Sequence, residues 1–171
     1  MQRLLDDLLE YSRITTGPKK YEKVNLEDIV DECVNNLKIA INETNAKIDY
    51  DPLPVVVANR TQMIQLFQNL LSNAIKFQSK TTPIVGISAR KYEDRYVFTV
   101  KDNGIGIDAK YQKRIFKVFQ RLHARNEYNG TGIGLSLIKK IVQYHNGNIW
   151  IKSELGKGSI FYFTLPVISN I

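Results

Sequence analysis

A chain of 171 residues, 43% hydrophobic and 24% charged, is long enough for one globular domain with a short appendage. Its single cysteine, Cys33, excludes an internal disulfide framework and a cysteine-cluster metal site. No apolar run approaches the roughly 18–20 residues that span a bilayer, and the sequence has no secretory signal. The chain is therefore expected to be cytoplasmic and not inserted into a membrane, whether or not a longer parent protein is membrane-bound.

The net charge of +7 is concentrated around two glycine-rich turns, DNGIGI from Asp102 and GTGIGL from Gly130. Residues 101–140 contain nine Lys/Arg against three acidic residues. A nucleic-acid face and an ordinary solvated surface both explain such a cluster. Alternate glycines let backbone amides converge on a ligand, however, so a polyphosphate explains the charge more economically and no nucleic-acid partner is predicted.

The first 16 residues predict a helix that belongs to a larger assembly. Leucines at positions 4, 5, 8 and 9 have helical periodicity, but no N-cap precedes them. We interpret the segment as the end of a longer helix. A helix that packs on its own domain is one alternative, while a bundle helix that pairs with another subunit is favoured. Residues 17–25 are predicted to be a linker.

Two helices and two short strands are predicted next. A helix over residues 25–44 begins with Asn25 as its N-cap and carries an apolar stripe. Short strands follow at residues 47–50 and 55–58, separated by prolines. A long helix with a wide apolar stripe then covers residues 59–79.

This long helix also carries a row of polar residues, Gln65, Asn69, Asn73 and Lys76. Asparagine is a mediocre helix former because its side chain competes for backbone hydrogen bonds. Two asparagines at i, i+4 in mid-helix therefore suggest a role beyond helix formation, and an amide oxygen suits Mg²⁺. Ordinary solvent-exposed polar residues are the alternative.

The rest of the chain predicts a sheet and one more helix. Alternating apolar and polar residues indicate strands at residues 84–92, 96–101, 148–153 and 159–165. A helix over residues 134–145 begins inside the second glycine turn, so its N-terminus favours an anion there. His145, in its last turn, is interpreted as a capping residue compatible with the helix dipole. Three helices on one face of a mixed sheet make a two-layer sandwich of the α+β class.

Several familiar sites are absent from the sequence. GTGIGL lacks the Lys-Ser/Thr ending of a P-loop and does not have Rossmann spacing. The HRD and DFG motifs of Ser/Thr/Tyr protein kinases are missing. With two histidines and no clustered carboxylates, a zinc or di-metal site is not expected.

What remains is an ordered set of motifs: NLLSNAIKF, DNGIGI, IFKVFQR, GTGIGL and GKGS. In this order the set resembles the catalytic ATP-binding domain of sensor histidine kinases, where these are the N, G1, F, G2 and G3 boxes of the Bergerat (GHKL-type) fold. The resemblance implies a mostly antiparallel sheet covered on one face by three helices, over residues 26–168. Residues 1–16 resemble the end of the second helix of the family's dimerisation domain.

The resemblance implies a role for each motif. Asp102 would accept a hydrogen bond from the adenine amine, which selects ATP over GTP. Asn73 would bind Mg²⁺, Asn69 would contact the phosphate–metal region, and Lys76 would reach the phosphates. The remaining implied nucleotide contacts are Gly104, Gly106, Ile107, Gly130, Thr131, Gly132, Ile133, Gly134 and Leu135.

The run between the glycine turns resembles the family's ATP lid. Phe116 and Phe119 would be its aromatic residues, in addition to ordinary packing. Arg121 and Arg125 are candidates to touch the β- or γ-phosphate, with a solvated surface as the alternative for Arg125. His123 receives no chemical role.

The family transfers the γ-phosphoryl group of ATP to a histidine on a dimerisation helix, and no matching histidine is present here. The resemblance therefore implies a chain that binds Mg-ATP without autophosphorylation, and slow ATPase at most. The implied partners are a dimerisation domain of the same protein, in a homodimeric parent, and a response-regulator receiver domain. The alternatives are a GHKL module that senses nucleotide, or an ATPase or serine kinase of the same fold.

Overall fold

The computed structural model describes residues 5, 8–9, 11–14, 20–119 and 131–167. In these ranges the strands are β1 (Glu22–Asn25), β2 (Lys47–Tyr50), β3 (Val55–Ala58), β4 (Ile84–Tyr92), β5 (Arg95–Asp102), β6 (Ile149–Glu154) and β7 (Gly158–Pro166). The helices after residue 20 are α1 (Leu26–Asn36), α2 (Lys38–Thr44), α3 (Arg60–Lys76), α4 (Ala109–Gln112) and α5 (Gly134–Tyr144). No helix in the described ranges is long and apolar enough to cross a bilayer.

The predicted mixed sheet is confirmed. Its strands lie in the order β2-β4-β5-β7-β6, with β2 parallel to β4 and every other pair antiparallel. β1 and β3 form a separate antiparallel pair. The central strand β5 therefore runs between β4 and β7 and ends at Asp102, which places this residue at one end of the middle of the sheet.

One hydrophobic core joins the sheet to α1, α3 and α5. Phe98 of β5 and Phe163 of β7 are cross-strand partners whose rings stack with centroids 4.8 Å apart. Phe67 of α3 meets Phe163 edge-on at 5.7 Å, and all three rings are fully buried. Burying one such side chain contributes about 1.5–3 kcal/mol. This packing holds α3 against β7 and its neighbour β5, the strand that leads into the first glycine turn.

The helix predicted over residues 25–44 is two helices. Asn25 caps α1 as predicted, accepting a hydrogen bond from the Glu27 N–H at 3.0 Å. Leu37 then leaves helical geometry (φ −96°, ψ 7°), and α2 buries none of its residues fully. The apolar spacing continues through the break, so local periodicity cannot reveal it. α1 packs more extensively on α3 than α2 does, which is a tertiary difference that the periodicity does not contain.

Residues 22–25, predicted to belong to a linker, form β1. The Lys23 and Val24 positions pair with Val57 and Val56 of β3, and Val24 is buried. The charged residues around this short strand made it look like an exposed connection. Its strand conformation depends on pairing with β3, more than 30 residues away in the sequence, and a local sequence pattern does not reveal that pairing.

The helical residues at the N-terminus contact the domain at their end. Ile14 is buried, and its carbonyl accepts a hydrogen bond from Gln62 Nε2 at 3.4 Å. The Lys140 ammonium donates to the Tyr11 carbonyl at 2.8 Å and lies 4.0 Å from the Tyr11 ring centroid. The described leucines of this segment are exposed: Leu5, Leu8 and Leu9. Pairing with another subunit, and the domain boundaries at residues 16 and 25, stay predictions.

His145 is the C-cap of α5, as predicted, but its ring is buried and its role differs. Nε2 accepts the Asn59 N–H at 3.1 Å, so Nδ1 carries the proton and donates to the Ile141 carbonyl at 2.8 Å. The ring also stacks on Tyr21 with centroids 5.1 Å apart. Burial lowers the pKa of His145. The neutral ring joins the starts of α3 and β1 to α5 instead of complementing the helix dipole with a charge.

The folded protein should lose stability on mild acidification through His145. Because its folded-state pKa lies below the unfolded value of about 6.5, this contribution is fully present above that pH and declines as the pH falls below it. Burial raises the pKa of Tyr21, which stacks on His145, so its hydroxyl does not titrate in this range. Urea unfolding at pH 7.5, 6.5 and 5.5 measures the slope, which one proton limits to about 1.4 kcal/mol per pH unit.

The matched variant for this experiment is His145→Gln, which cannot titrate. Its free energy of unfolding should be lower at pH 7.5, because the ring packing against Tyr21 is lost. Between pH 7.5 and 5.5 it should change less than that of the native chain. Equal pH slopes for the two proteins would contradict the assignment of a neutral, buried ring.

Candidate nucleotide site

Asp102, the last residue of β5, has a carboxylate in which one oxygen is hydrogen-bonded within the protein. Its Oδ1 accepts hydrogen bonds from the Gly104 N–H at 2.8 Å and the Ser159 N–H at 3.2 Å. In the described part of the chain, Oδ2 has no hydrogen-bond partner and is not sealed from solvent. Burial raises the pKa of Asp102, and the two backbone donors oppose that shift. The side chain is held in one orientation with a free acceptor.

The first glycine turn is pressed between the end of α3 and the β6–β7 hairpin. The Ile105 N–H donates to the Phe77 carbonyl at 3.0 Å, and a Cβ on Gly104 would collide with that same oxygen. Gly106 has a φ of +70°, and a Cβ there would collide with the Glu154 carbonyl. Only glycine fits these two positions, for reasons of space and of backbone conformation. The turn therefore brings α3 directly to Asp102.

The polar row of α3 reaches the second glycine turn at Asn69. Asn69, Asn73 and Lys76 are all half-buried. The Asn69 Nδ2 group donates to the Gln65 carbonyl at 2.9 Å, and a Cβ added to Gly134 would lie 2.8 Å from Asn69 Oδ1. The Lys76 ammonium lies 4.8 Å from the Phe77 ring centroid. Asn69 is thus the residue of this row that meets the start of α5, and Asn73 and Lys76 follow it at one-turn and two-turn spacing on the same helix.

The second glycine turn ends in the N-terminus of α5. Gly132 has a φ of +76°, and the N-cap residue Ile133 makes no side-chain hydrogen bond to the first turn of the helix. Ser136 Oγ donates to the Ile133 carbonyl at 2.7 Å and so does not cap the amides either. Unsatisfied amides at a helix N-terminus attract anions. Thr131 and Leu135, predicted contacts of the same ligand, are half-buried around this turn.

The segment between the two glycine turns contains two phenylalanines, Phe116 and Phe119, in different environments. Phe116 packs edge-on against Phe161 of β7, with centroids 6.4 Å apart. Phe119 is 56% exposed, has a φ of +62°, and its N–H donates to the Gly132 carbonyl at 3.1 Å. Phe116 therefore belongs to the core, whereas Phe119 is free to meet a ligand. The predicted residues Arg121, His123, Arg125 and Gly130 lie outside the described residues.

Three contributors to the site were not predicted. Ser159 orients Asp102 through its backbone N–H, and Ser153 and Gln112 hold the Ile107 end of the first turn. The GKGS motif indicated that this hairpin takes part. The individual contacts depend on the register that places Ser159 opposite Asp102, and sequence periodicity does not supply that register.

The arrangement suits a purine nucleotide with its phosphates. Asp102 Oδ2 offers an acceptor for an exocyclic amine, and the start of α5 offers amides to an anion. Asn73 offers an amide oxygen that has no hydrogen-bond partner in the described ranges. No group of three His, Cys, Asp or Glu side chains gathers in those ranges. This donor set fits a cation that takes one or two protein oxygens and fills its shell with phosphate and water, as Mg²⁺ does.

Comparison with known proteins agrees with this geometry. Residues 58–169 match the model of the family described as histidine kinase-, DNA gyrase B-, and HSP90-like ATPase. The chain belongs to this family. The match includes α3, both glycine turns and the β6–β7 hairpin, so the whole candidate site lies within the family domain.

Two relatives are informative. Cyanobacterial phytochrome A of Nostoc sp. (strain PCC 7120) is 51% identical over 98% of this chain and 22% of the relative's length. The adaptive-response sensory kinase SasA of Prochlorococcus marinus (strain AS9601) is 39% identical over 94% of this chain and 46% of that protein. The chain thus spans between about a fifth and a half of the length of these relatives, and it is their ATP-binding kinase catalytic domain that it resembles.

Two solved structures share the fold. Full-length ShkA, solved in complex with AMPPNP, has a TM-score of 0.83 at 23% identity, covering 99% of this chain and 36% of ShkA. The histidine kinase ThkA, solved in complex with the response regulator protein TrrA, has a TM-score of 0.75 at 21% identity, covering 98% of this chain and 47% of that chain. The predicted Bergerat-type sandwich is therefore confirmed.

Proposed function

We propose that this domain binds Mg-ATP between α3 and the two glycine turns, and that its parent protein transfers the γ-phosphoryl group to a histidine of a dimerisation domain. The phosphoryl group would then pass to an aspartate of a response regulator. The observation that carries the proposal is the Asp102 carboxylate, with Oδ1 fixed by two backbone amides and Oδ2 available. Bound AMPPNP in ShkA supports an ATP-type ligand for this fold.

Adenine selection follows from the chemistry of Asp102. The exocyclic amine of adenine donates to a carboxylate, whereas guanine presents a carbonyl at the same place and would leave two acceptors facing each other. A partly buried acceptor without a partner costs about 1–3 kcal/mol. Gly104 and Gly106 keep the adjoining backbone free of side chains, so that the base can lie against it.

Phosphate binding would use the opposite side of the site. The first-turn amides of α5 and the ammonium of Lys76 would supply positive potential. Asn69 lies beside Gly134, where α3 contacts the start of α5. Asn73 would hold Mg²⁺ through its amide oxygen. When bound, the metal would neutralise charge on the phosphates during transfer. Arg121, from the basic run, is a further candidate phosphate contact.

The proposed partners follow from the relatives. SasA is a sensory kinase by name, and ThkA was solved with a response regulator protein. We infer a dimerisation domain that precedes this one in a homodimeric parent, because residues 11–14 are helical and exposed leucines precede them. A receiver domain is the inferred recipient of the phosphoryl group. A cytoplasmic location is inferred because the site requires ATP.

The test is a transfer reaction reconstituted from separate parts. The purified chain, ATP labelled at the γ-phosphate and Mg²⁺ are mixed with a histidine-containing dimerisation domain of a sensor histidine kinase, and with the same domain carrying alanine in place of that histidine. Acid-labile label should appear only on the domain that retains its histidine. ATP binding without any transfer would contradict the kinase assignment and favour a nucleotide-sensing module. Label on serine would favour a serine kinase.

A further inference from the structure

Gln112, the last residue of α4, joins the first glycine turn to the β6–β7 hairpin. Its Nε2 group donates to the Ile107 carbonyl at 3.0 Å and to the Ser153 carbonyl at 2.7 Å. The two acceptors lie five residues before and 41 residues after Gln112 in the sequence. A side-chain amide has two N–H donors, so both are used, one on each element.

The same two elements are joined by further hydrogen bonds on either side of Gln112. The Ile107 N–H donates to Ser153 Oγ at 2.7 Å, and this hydroxyl donates to the Gly158 carbonyl at 2.9 Å. The Gly156 N–H donates to the Ile105 carbonyl at 2.7 Å. The first glycine turn is therefore fastened to the hairpin at Ile105 and Ile107, and Gln112 holds the Ile107 end.

The hairpin in turn orients Asp102. The Ser159 N–H donates to Asp102 Oδ1 at 3.2 Å, and Ser159 Oγ lies 2.9 Å from Ser153 Oγ. A Cβ on Gly158 would collide with the Asp102 carbonyl, so the hairpin lies directly on the end of β5. The other donor to Oδ1, the Gly104 N–H, belongs to the turn. A shift between turn and hairpin would therefore rotate the carboxylate.

We propose that Gln112 is a positioning residue for base recognition: by holding the Ile107 and Ser153 carbonyls together, it sets the direction of Asp102 Oδ2. The proposal rests on the proposed function, in which Asp102 reads the adenine amine. Gln112 does not touch the base in this account. It acts through the turn and the hairpin, and the quantity that it controls is the discrimination between adenine and guanine.

Gln112 is well suited to a test because a substitution removes both of its side-chain hydrogen bonds. The other hydrogen bonds between the turn and the hairpin come from backbone groups or small hydroxyls. Gln112→Met keeps the length of the side chain and a similar helix propensity but removes both donors. Gln112→Glu keeps the shape and directs a carboxylate at two carbonyl oxygens, which is repulsive. The matched control is Gln143→Met on α5, where the side chain is exposed and outside the site.

The experiment measures the dissociation constants of Mg-ATP and Mg-GTP by calorimetry for the native chain and the three variants, with the thermal unfolding midpoint of each. Gln112→Met should weaken ATP about tenfold while leaving GTP nearly unchanged, so the GTP-to-ATP ratio of dissociation constants falls. Gln112→Glu should lower the ratio at least as far, and Gln143→Met should keep the native ratio. A purely structural role would lower the unfolding midpoint and weaken both nucleotides equally.

An unchanged GTP-to-ATP ratio in a folded Gln112→Met or Gln112→Glu protein would overturn the proposal. A native chain that binds neither nucleotide would instead overturn the proposed function on which it rests. If Gln112→Met does not fold, the ratio in Gln112→Glu decides, and unfolding of both variants would assign Gln112 to stability and overturn its role in recognition.

Discussion

Replacing Asp102 with asparagine is expected to weaken ATP binding about 100-fold, which corresponds to about 2.8 kcal/mol. The amide oxygen can still accept from the Gly104 and Ser159 N–H groups. The amide NH₂ then takes the place of Oδ2 and faces the adenine amine, so two donors oppose each other. Because guanine presents a carbonyl there, GTP affinity should rise relative to ATP. Calorimetric titration with both nucleotides measures this change.

The control for this variant is Asp49→Asn on the exposed strand β2, which makes the same chemical change outside the site. It should bind both nucleotides as the native chain does. Asp102→Asn should also unfold at nearly the native temperature, because burial disfavours the charge that the substitution removes. If the folded Asp102→Asn variant bound ATP with native affinity, Asp102 would not be the residue that recognises adenine.

Asn73→Ala is expected to separate binding from stability. The variant loses the amide oxygen proposed for Mg²⁺, and losing one contact to a charged group costs about 1.5–3 kcal/mol, or roughly 10–100-fold in Mg-ATP affinity. Alanine is the better helix former, and the Asn73 amide makes no hydrogen bond within the described residues. The unfolding midpoint should therefore stay equal or rise while affinity falls.

Two comparisons decide whether the metal is involved. In EDTA, native and Asn73→Ala chains should bind ATP with the same affinity, because neither has a metal to hold. Asn42→Ala on the exposed α2, the same change on another helix, should leave Mg-ATP affinity unchanged. A loss of affinity in Asn73→Ala that is equally large with and without Mg²⁺ would mean that Asn73 contacts the nucleotide directly.

Much of the fold follows from local patterns in the sequence. The bounds of β2, β3 and β4 match the predicted strands, and α3 begins next to Asn59, where the predicted helix begins. These elements have strong signals of their own: β-branched residues in alternation, or a capping side chain ahead of an apolar stripe. The end of α3 at Lys76, earlier than predicted, is less local, because the Phe77 carbonyl there is taken by the first glycine turn.

The candidate site likewise contains residues that local patterns predict and residues that only tertiary contacts reveal. The sequence pattern predicts Asp102, the paired asparagines of α3 and the glycine turns, because the proposed contacts need particular side chains, or glycine, at fixed spacing. Local patterns do not reveal Ser159 or Gln112. Ser159 contributes a backbone N–H that any residue possesses, and the Gln112 side chain bonds to backbone carbonyls, one of them 41 residues away. The buried, neutral ring of His145 likewise depends on Asn59 and Tyr21 from distant elements.

The sequence by itself determined which groups this protein has for a nucleotide: a carboxylate after a strand, amide side chains on a helix, and two flexible glycine turns with basic residues around them. Only the tertiary structure decided that these groups face one another. The Phe77 carbonyl brings α3 to the first turn, Gly134 brings the second turn to Asn69, and the register of β5 with β7 places the Ser159 N–H on Asp102 Oδ1. Each of these contacts joins residues distant in sequence, and the shared core beneath them holds them together.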